Sequence, residues 1–266
     1  MLRPLMFLVG VFLLLALGKT QAEELSNTVV YLSEGANYGT GFFVQGKDYY
    51  LVTAEHVATY LKPLSPAVVR GENDSGIKFT LADLVGTSGT TLDWETHTDS
   101  DVAVLRVQSQ GDLWEKLKPR FISLDWFERK LGAPIRERPV TVMGFPLQLG
   151  TKGYFSPGTS EAKTSSGLQT LYSSIIKKEA TFYALDKPSI AGFSGGPAYL
   201  LPTPYTIGSK TFFPAGPNPT PLFVGLVHGL VSDKNGNGFA LIVPSKFIVD
   251  VILKADAKTG TSNKNR

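Results

Sequence analysis

Short apolar runs, rich in β-branched and aromatic residues and set off by Gly, Pro, Asn and Asp, fill residues 27–107. Thr28-Val-Val-Tyr-Leu32, Gly41-Phe-Phe-Val44, Tyr49-Tyr-Leu-Val-Thr53, Ala67-Val-Val-Arg70, Ile77–Val85 and Val102-Ala-Val-Leu-Arg-Val107 read as strands. Their spacing of roughly 8–15 residues predicts an antiparallel sandwich or barrel. The pattern breaks over 110–138, where Trp114, Leu117, Phe121, Trp126, Phe127 and Leu131 sit among charges, as in a linker with one or two short helices. It resumes from Pro139 with Val140–Gly144, Ser174–Tyr183, Pro197–Leu201, Leu222–Val231 and Phe239–Val243. Helical spacing and a Ser245 cap predict a terminal helix over 245–254, with 255–266 left as a tail. Gly150–Gly167, and Pro202–Pro221 with its six prolines, read as long surface loops.

The amino terminus obeys a different rule. Arg3 precedes a thirteen-residue apolar run, Leu5–Leu17, and small residues Thr20 and Ala22 follow. A basic start, a short apolar segment and a small-residue exit predict a secretory signal peptide over 1–22, cleaved after Ala22. The run falls short of the ~20 residues that span a bilayer, so no stable membrane anchor is expected after cleavage. The expected location is secreted or periplasmic.

Composition narrows the classes further. Of 266 residues, 42% are hydrophobic and 18% charged, which does not fit a disordered chain. There are 26 Lys+Arg against 23 Asp+Glu. Losing Arg3 and Lys19 with the leader leaves 24 against 23, a net charge of +1, and no concentrated basic face for nucleic acid. The chain has no Cys, which excludes disulfides, thiolate metal sites and thiol catalysis. An exported chain without Cys must be held by its core alone.

Three segments carry chemistry. Leu51-Val-Thr-Ala-Glu-His56-Val brings an imidazole to a strand end, and Asp99-Ser-Asp101-Val-Ala-Val-Leu105 sets a carboxylate at the head of an apolar strand. Gly192-Phe-Ser194-Gly-Gly-Pro197 is a tight turn around a hydroxyl. A serine hydroxyl becomes a nucleophile only with an imidazole base and a carboxylate that orients it. In such a turn the amides of Gly192 and Ser194 are the candidate oxyanion donors, and Gly195 and Gly196 allow close passage to the other half. Asp101 is preferred over Asp99 because the apolar strand begins directly after it. His97 is expected in solvent, and His56, His97 and His228 have no ligand spacing that would suggest zinc, so neither metal nor cofactor is expected. Gly192–Gly196 also fits a nucleophile elbow, but residues 195–227 hold neither Asp nor Glu and no βαβ alternation is present.

These segments, with Gly39-Thr-Gly41-Phe-Phe-Val44, Val140-Thr-Val-Met-Gly-Phe-Pro146, Gly225-Leu-Val-His-Gly229 and Gly238-Phe-Ala-Leu-Ile-Val-Pro244, resemble a trypsin-like (chymotrypsin-fold) serine endopeptidase of the cysteine-free bacterial type. The order His, Asp, Ser and the gaps of 45 and 93 residues are similar too. The resemblance implies an all-β fold of two perpendicular six-stranded antiparallel barrels with a C-terminal helix. The peptidase domain would cover 23–253: a first barrel at about 27–109, a linker at 110–138 and a second barrel at about 139–244. It implies a catalytic His56, Asp101 and Ser194 in the cleft, acting on proteins or peptides through an acyl-enzyme, with no nucleic-acid partner. It also implies a substrate pocket lined by Ser189, Ile190, His228 and Gly229. The pocket floor near Pro188 has no Asp, so cleavage after Lys or Arg is not expected. His228 raises the prospect of cleavage after Glu, with small or apolar residues as the other choice. Glu55 departs from the family's usual small residue before the base. No Ile/Val-Val-Gly-Gly start lies near Glu23, so zymogen cleavage of that kind is not expected. A catalytically inactive binding protein on the same fold is the competing reading.

Overall fold

Antiparallel ladders divide the chain into two halves in the computed structural model, which describes residues 23–86, 91–213, 220–232 and 238–262. The expected leader at 1–22 lies outside the described residues. In the first half run β1 (Val29–Glu34), β2 (Asn37–Gln45), β3 (Tyr49–Thr53), the one-turn α1 (Glu55–Ala58), β4 (Pro66–Arg70), β5 (Gly76–Thr80), α2 (Leu81–Val85), β6 (Trp94–Thr96) and β7 (Ala103–Arg106). The sheet order is β5-β4-β1-β2-β3-β7-β6. Gln108 N donates to Leu84 O (2.6 Å), tying the chain beyond β7 to the segment after β5. Six strands thus make the round of the first barrel, with β6 appended to it.

The linker supplies α3 (Gly111–Leu117) and β8 (Ile122–Ser123), which adds in parallel to β2. The second half holds β9 (Pro139–Gly144), β10 (Gly158–Lys163), β11 (Gln169–Ser173), β12 (Lys178–Leu185), β13 (Pro197–Leu200), the exposed hairpin β14 (Tyr205–Ile207) and β15 (Lys210–Phe212), β16 (Leu222–Ser232) and β17 (Gly238–Pro244). Its order is β10-β9-β13-β16-β17-β12-β11, and a bridge between Thr164 and Leu185 joins β10 back to β12. That bridge closes six strands and leaves β11 as the extra one. The fold is all-β, two antiparallel barrels followed by a C-terminal helix.

Sequence explains most of these elements. Tyr49–Thr53 carries the β-branched and aromatic residues that suit a pleated, buried surface, and Tyr50, Leu51 and Val52 are fully buried. Two expected strands differ. In Ser174–Tyr183 the first four residues are the turn between β11 and β12, which begins only at Lys178. Ile77–Val85 is split. Only Gly76–Thr80 is strand, because Thr80 and Asp83 form a reciprocal capping box that starts α2, and Gly86 ends it in the left-handed conformation. The Gly150–Gly167 segment contains β10, an outer strand with one face wet, which explains its polar composition. The two halves meet through stacked rings: Phe127 of the linker lies 4.9 Å from Phe223 of β16 and 6.4 Å from Phe42 of β2. This apolar seam replaces the covalent staples that a Cys-free chain lacks.

The terminal helix α4 spans Ser245–Ser262, longer than the sequence pattern suggests. Ser245 Oγ donates to Glu128 O (2.7 Å), so it fastens the helix start to the linker instead of capping it. One turn from the end of the apolar stretch, buried Asp256 accepts hydrogen bonds from the Lys47 and Asp48 amides and from Tyr50 Oη (2.7 Å). The β2–β3 hairpin therefore holds the part of the helix that has no strong apolar periodicity.

Candidate active site

Pairing of β3 with β7 brings the first two candidate residues together. Thr53 is opposite Ala103, so Ala54–His56 leaves one strand at the end where Asp101-Val102 enters the other. Asp101 is fully buried. Its Oδ1 accepts from the His56 amide (3.0 Å), and its Oδ2 lies 2.7 Å from His56 Nδ1. The main-chain bond fixes the loop and the side-chain bond fixes the ring. Burial alone would raise the Asp101 pKa, but the hydrogen bonds from His228 and His56 outweigh it and hold the carboxyl well below its ordinary range. Asp99 is exposed, and its amide donates to His97 Nδ1 (3.0 Å). His97, expected in solvent, is half-buried 4.8 Å from the Phe247 ring, and that burial lowers its pKa.

The second barrel supplies the serine. Gly192 has φ +103°, a conformation L side chains rarely adopt, and an added Cβ would lie 2.1 Å from Phe145 O. Gly195, at φ +82°, presses on the first barrel, where a Cβ would lie 2.2 Å from Thr40 O and 2.3 Å from Thr53 Oγ1. No larger residue fits either place. Within the turn, Phe193 N donates to Ile190 O, Gly195 N to Val227 O and Gly196 N to Phe193 O. The amides of Gly192 and Ser194 donate to no protein acceptor among the described residues. Ser194 Oγ, half-buried, donates to His228 O at 3.3 Å, and among the described residues it makes no hydrogen bond to His56.

Several contributors carried no distinct signal in the sequence. Thr40 of β2 joins the halves: its amide donates to Ser194 O (2.8 Å), its Oγ1 donates to Gly192 O (2.6 Å), and its own carbonyl accepts from Thr53 Oγ1 (2.7 Å). One residue of the first barrel thus orients two peptides of the serine turn. Glu55, the departure beside His56, turns neither fully outward nor toward Asp101. It pairs with Lys178 of β12 (2.6 Å), which also donates to His97 O (3.0 Å). Ser173, at the end of β11, lies 3.0 Å from His228 Nε2. None of these roles has a local signal, because each partner lies on a segment that meets it only in the tertiary fold.

Of the four residues expected around the substrate pocket, Ile190 is 45% exposed, Ser189 half-buried, and Gly229 faces room: a Cβ there would meet only Ile175 Cδ1 at 3.7 Å. His228 differs. Its ring is buried, with Nδ1 2.5 Å from Asp101 Oδ2 and the Phe182 ring 4.6 Å away. His56, Asp101 and His228 form the one cluster of potential metal ligands found among the described residues. Their ligand atoms are hydrogen-bonded to one another, which leaves no gap of the ~2.0–2.2 Å Zn–N and Zn–O kind between them. Among the described residues no helix is long and apolar enough to cross a membrane.

No curated protein matches the chain significantly. A solved structure of Rv3671c from M. tuberculosis, a serine-to-alanine mutant in an inactive form, is similar at 18% identity over 89% of each chain, with a TM-score of 0.53. A structure of the Rv3671c protease, also in an inactive form, is similar at 17% identity, covering 86% of this chain and 89% of that chain, with a TM-score of 0.51. At such identity the likeness carries the fold. The model of the trypsin-like peptidase domain matches residues 39–201, more than half the chain and the span that holds His56, Asp101 and Ser194, and the chain therefore belongs to the trypsin-like peptidase family.

Proposed function

We propose that the protein is an exported serine endopeptidase that cuts proteins or peptides through an acyl-enzyme. The observation that carries this reading is the buried Asp101, bonded to both the Nδ1 and the amide of His56, beside a serine turn with two unengaged amides. In this mechanism Ser194 Oγ attacks the peptide carbonyl while His56 Nε2 takes its proton. Negative charge moves to the carbonyl oxygen, where the Gly192 and Ser194 amides receive it. The C–N bond breaks, His56 returns the proton to the leaving amine, and water then releases the acyl group by the same steps. The Ser194–His56 bond forms with substrate present, as catalytic hydrogen bonds often tighten only in the reacting complex. Export follows from the leader-like residues 1–22, which would be removed after Ala22.

A fluorophosphonate probe is expected to form one covalent adduct, located on Ser194 by peptide mass spectrometry. An unlabelled wild type, or label that persists in Ser194→Ala, overturns the reading and leaves a silent binding protein on this fold.

Substrate choice follows from the pocket walls. His228 has both ring nitrogens engaged, so no donor is left to hold a substrate carboxylate. Exposed Ile190 and the open Cα of Gly229 favour small or apolar side chains before the cut. Profiling a peptide library is expected to enrich those residues at that position; enrichment of Glu instead would defeat this specificity.

A further inference from the structure

His228 stands where a strand breaks its register. In the β16–β17 ladder Val227 pairs with Ile242 and Gly229 with Leu241, so His228 is the extra residue of a β-bulge. A bulge re-aims a side chain out of the regular alternation. Here it turns the imidazole under the Asp101 carboxylate. The preceding residue, Val227, is bonded at both its amide and its carbonyl to the serine turn, to Gly196 O (2.9 Å) and Gly195 N (2.8 Å). One short stretch of β16 therefore holds the serine turn and the carboxylate at once.

The hydrogen-bond directions are fixed by chemistry. An ionised carboxylate only accepts, so the Nδ1 atoms of His56 and His228, both on Asp101 Oδ2, each carry a proton. In a neutral ring with its proton on Nδ1, His228 Nε2 accepts from the Ser173 hydroxyl, the group that lies 3.0 Å away. The result is a chain from Ser173 through His228 and Asp101 to His56. With Oδ1 taken by the His56 amide and Oδ2 pinned from below by His228, the carboxylate cannot rotate away from the base. We propose that His228 is a positioning residue of the active site: Asp101 sets its tautomer, Ser173 holds its far nitrogen, and it in turn fixes the Asp101 oxygen on which His56 Nδ1 is held. This inference rests on the serine-peptidase reading and adds a second imidazole to the carboxylate that the reading requires.

The full-length protein allows a direct test, because His56, His97 and His228 are its only histidines. In protein labelled with ¹⁵N-histidine, two imidazole N–H protons should resonate far downfield, those on His56 Nδ1 and His228 Nδ1. His228→Phe, which keeps a ring but no donor, should remove one resonance and displace the other. The same variant should lower kcat about 10- to 100-fold, the scale of losing a hydrogen bond to a charged group, with KM held within about twofold. His228→Asn places an amide N–H near the former Nδ1 and should recover most of kcat. Ser173→Ala should weaken the His228 resonance and lower kcat by a smaller factor. Should His228→Phe fail to fold, His228→Asn and Ser173→Ala still decide, since each must move the His56 resonance.

The proposal is overturned if the His56 resonance is unchanged in these variants, or if kcat per titrated site is unchanged while only the melting temperature falls. A rise in KM confined to substrates with Glu before the cut would make His228 a specificity residue and overturn it too. Absence of fluorophosphonate label on the wild type would defeat the peptidase reading alone, since the resonances report the His228–Asp101–His56 coupling without turnover.

Discussion

Ser194→Ala is expected to lower kcat/KM on a peptide substrate by about 10⁴- to 10⁶-fold while leaving the fold unchanged. The size follows from the chemistry: without the hydroxyl no acyl-enzyme forms, and what remains is whatever the oxyanion amides and binding supply to direct attack by water. The unchanged fold follows from the contacts. Ser194 Oγ makes one long bond, 3.3 Å to His228 O, whereas the turn is held by its backbone, through Thr40 N to Ser194 O and Gly195 N to Val227 O. Loss of a half-buried hydroxyl of this kind should change stability by no more than about 0.5 kcal/mol. Steady-state kinetics beside a urea titration separates the two effects. A variant within tenfold of wild type would mean that another nucleophile operates, and a variant that unfolds early would mean that the hydroxyl is a structural group.

The parts of this site that could be read from sequence are those where local chain chemistry decides. Tyr49–Thr53 is dense in strand-forming residues, and strand β3 has those same bounds. The glycines around Ser194 mark a turn because two of them hold positive φ against another backbone, a need no other residue meets. Ile77–Val85 was harder, since a hydrophobic run does not reveal where a capping box will convert strand into helix. β10 and the hairpin β14–β15 were hidden by polar or Pro-bounded sequence, because an outer strand needs few apolar residues. The place of His228 could not be read at all. Simple alternation would have sent its side chain according to its neighbours, and only the bulge between Val227 and Gly229 turns it onto Asp101. Thr40, Ser173 and Lys178 were likewise silent, since their partners lie on strands that meet only through the tertiary fold.

Asp101→Asn tests the centre of that network in two ways. The carboxylate accepts three N–H groups, from His56 Nδ1, the His56 amide and His228 Nδ1. A carboxamide has one accepting oxygen, so either orientation sets its NH₂ against a donor. Set against the two imidazoles, the NH₂ drives His56 to the other tautomer, with the proton on Nε2, where it cannot take the Ser194 proton; the expected loss is about 10⁴ in kcat. Stability should show the same group through pH. The folded-state pKa of Asp101 lies below its ordinary value of 3.8, with the bonds from His228 and His56 overcoming burial. Between the two values the unfolded chain binds the extra proton. The stabilisation is therefore fully present above about pH 4 and is lost as pH falls toward the folded-state value. Asn cannot take part in that titration. The stability gap between wild type and Asp101→Asn, measured by urea unfolding, should be widest near neutral pH and should narrow at pH values below about 4. A gap that stays constant across that range would mean that Asp101 is not held ionised by the two imidazoles, and the orienting role assigned to it would fall.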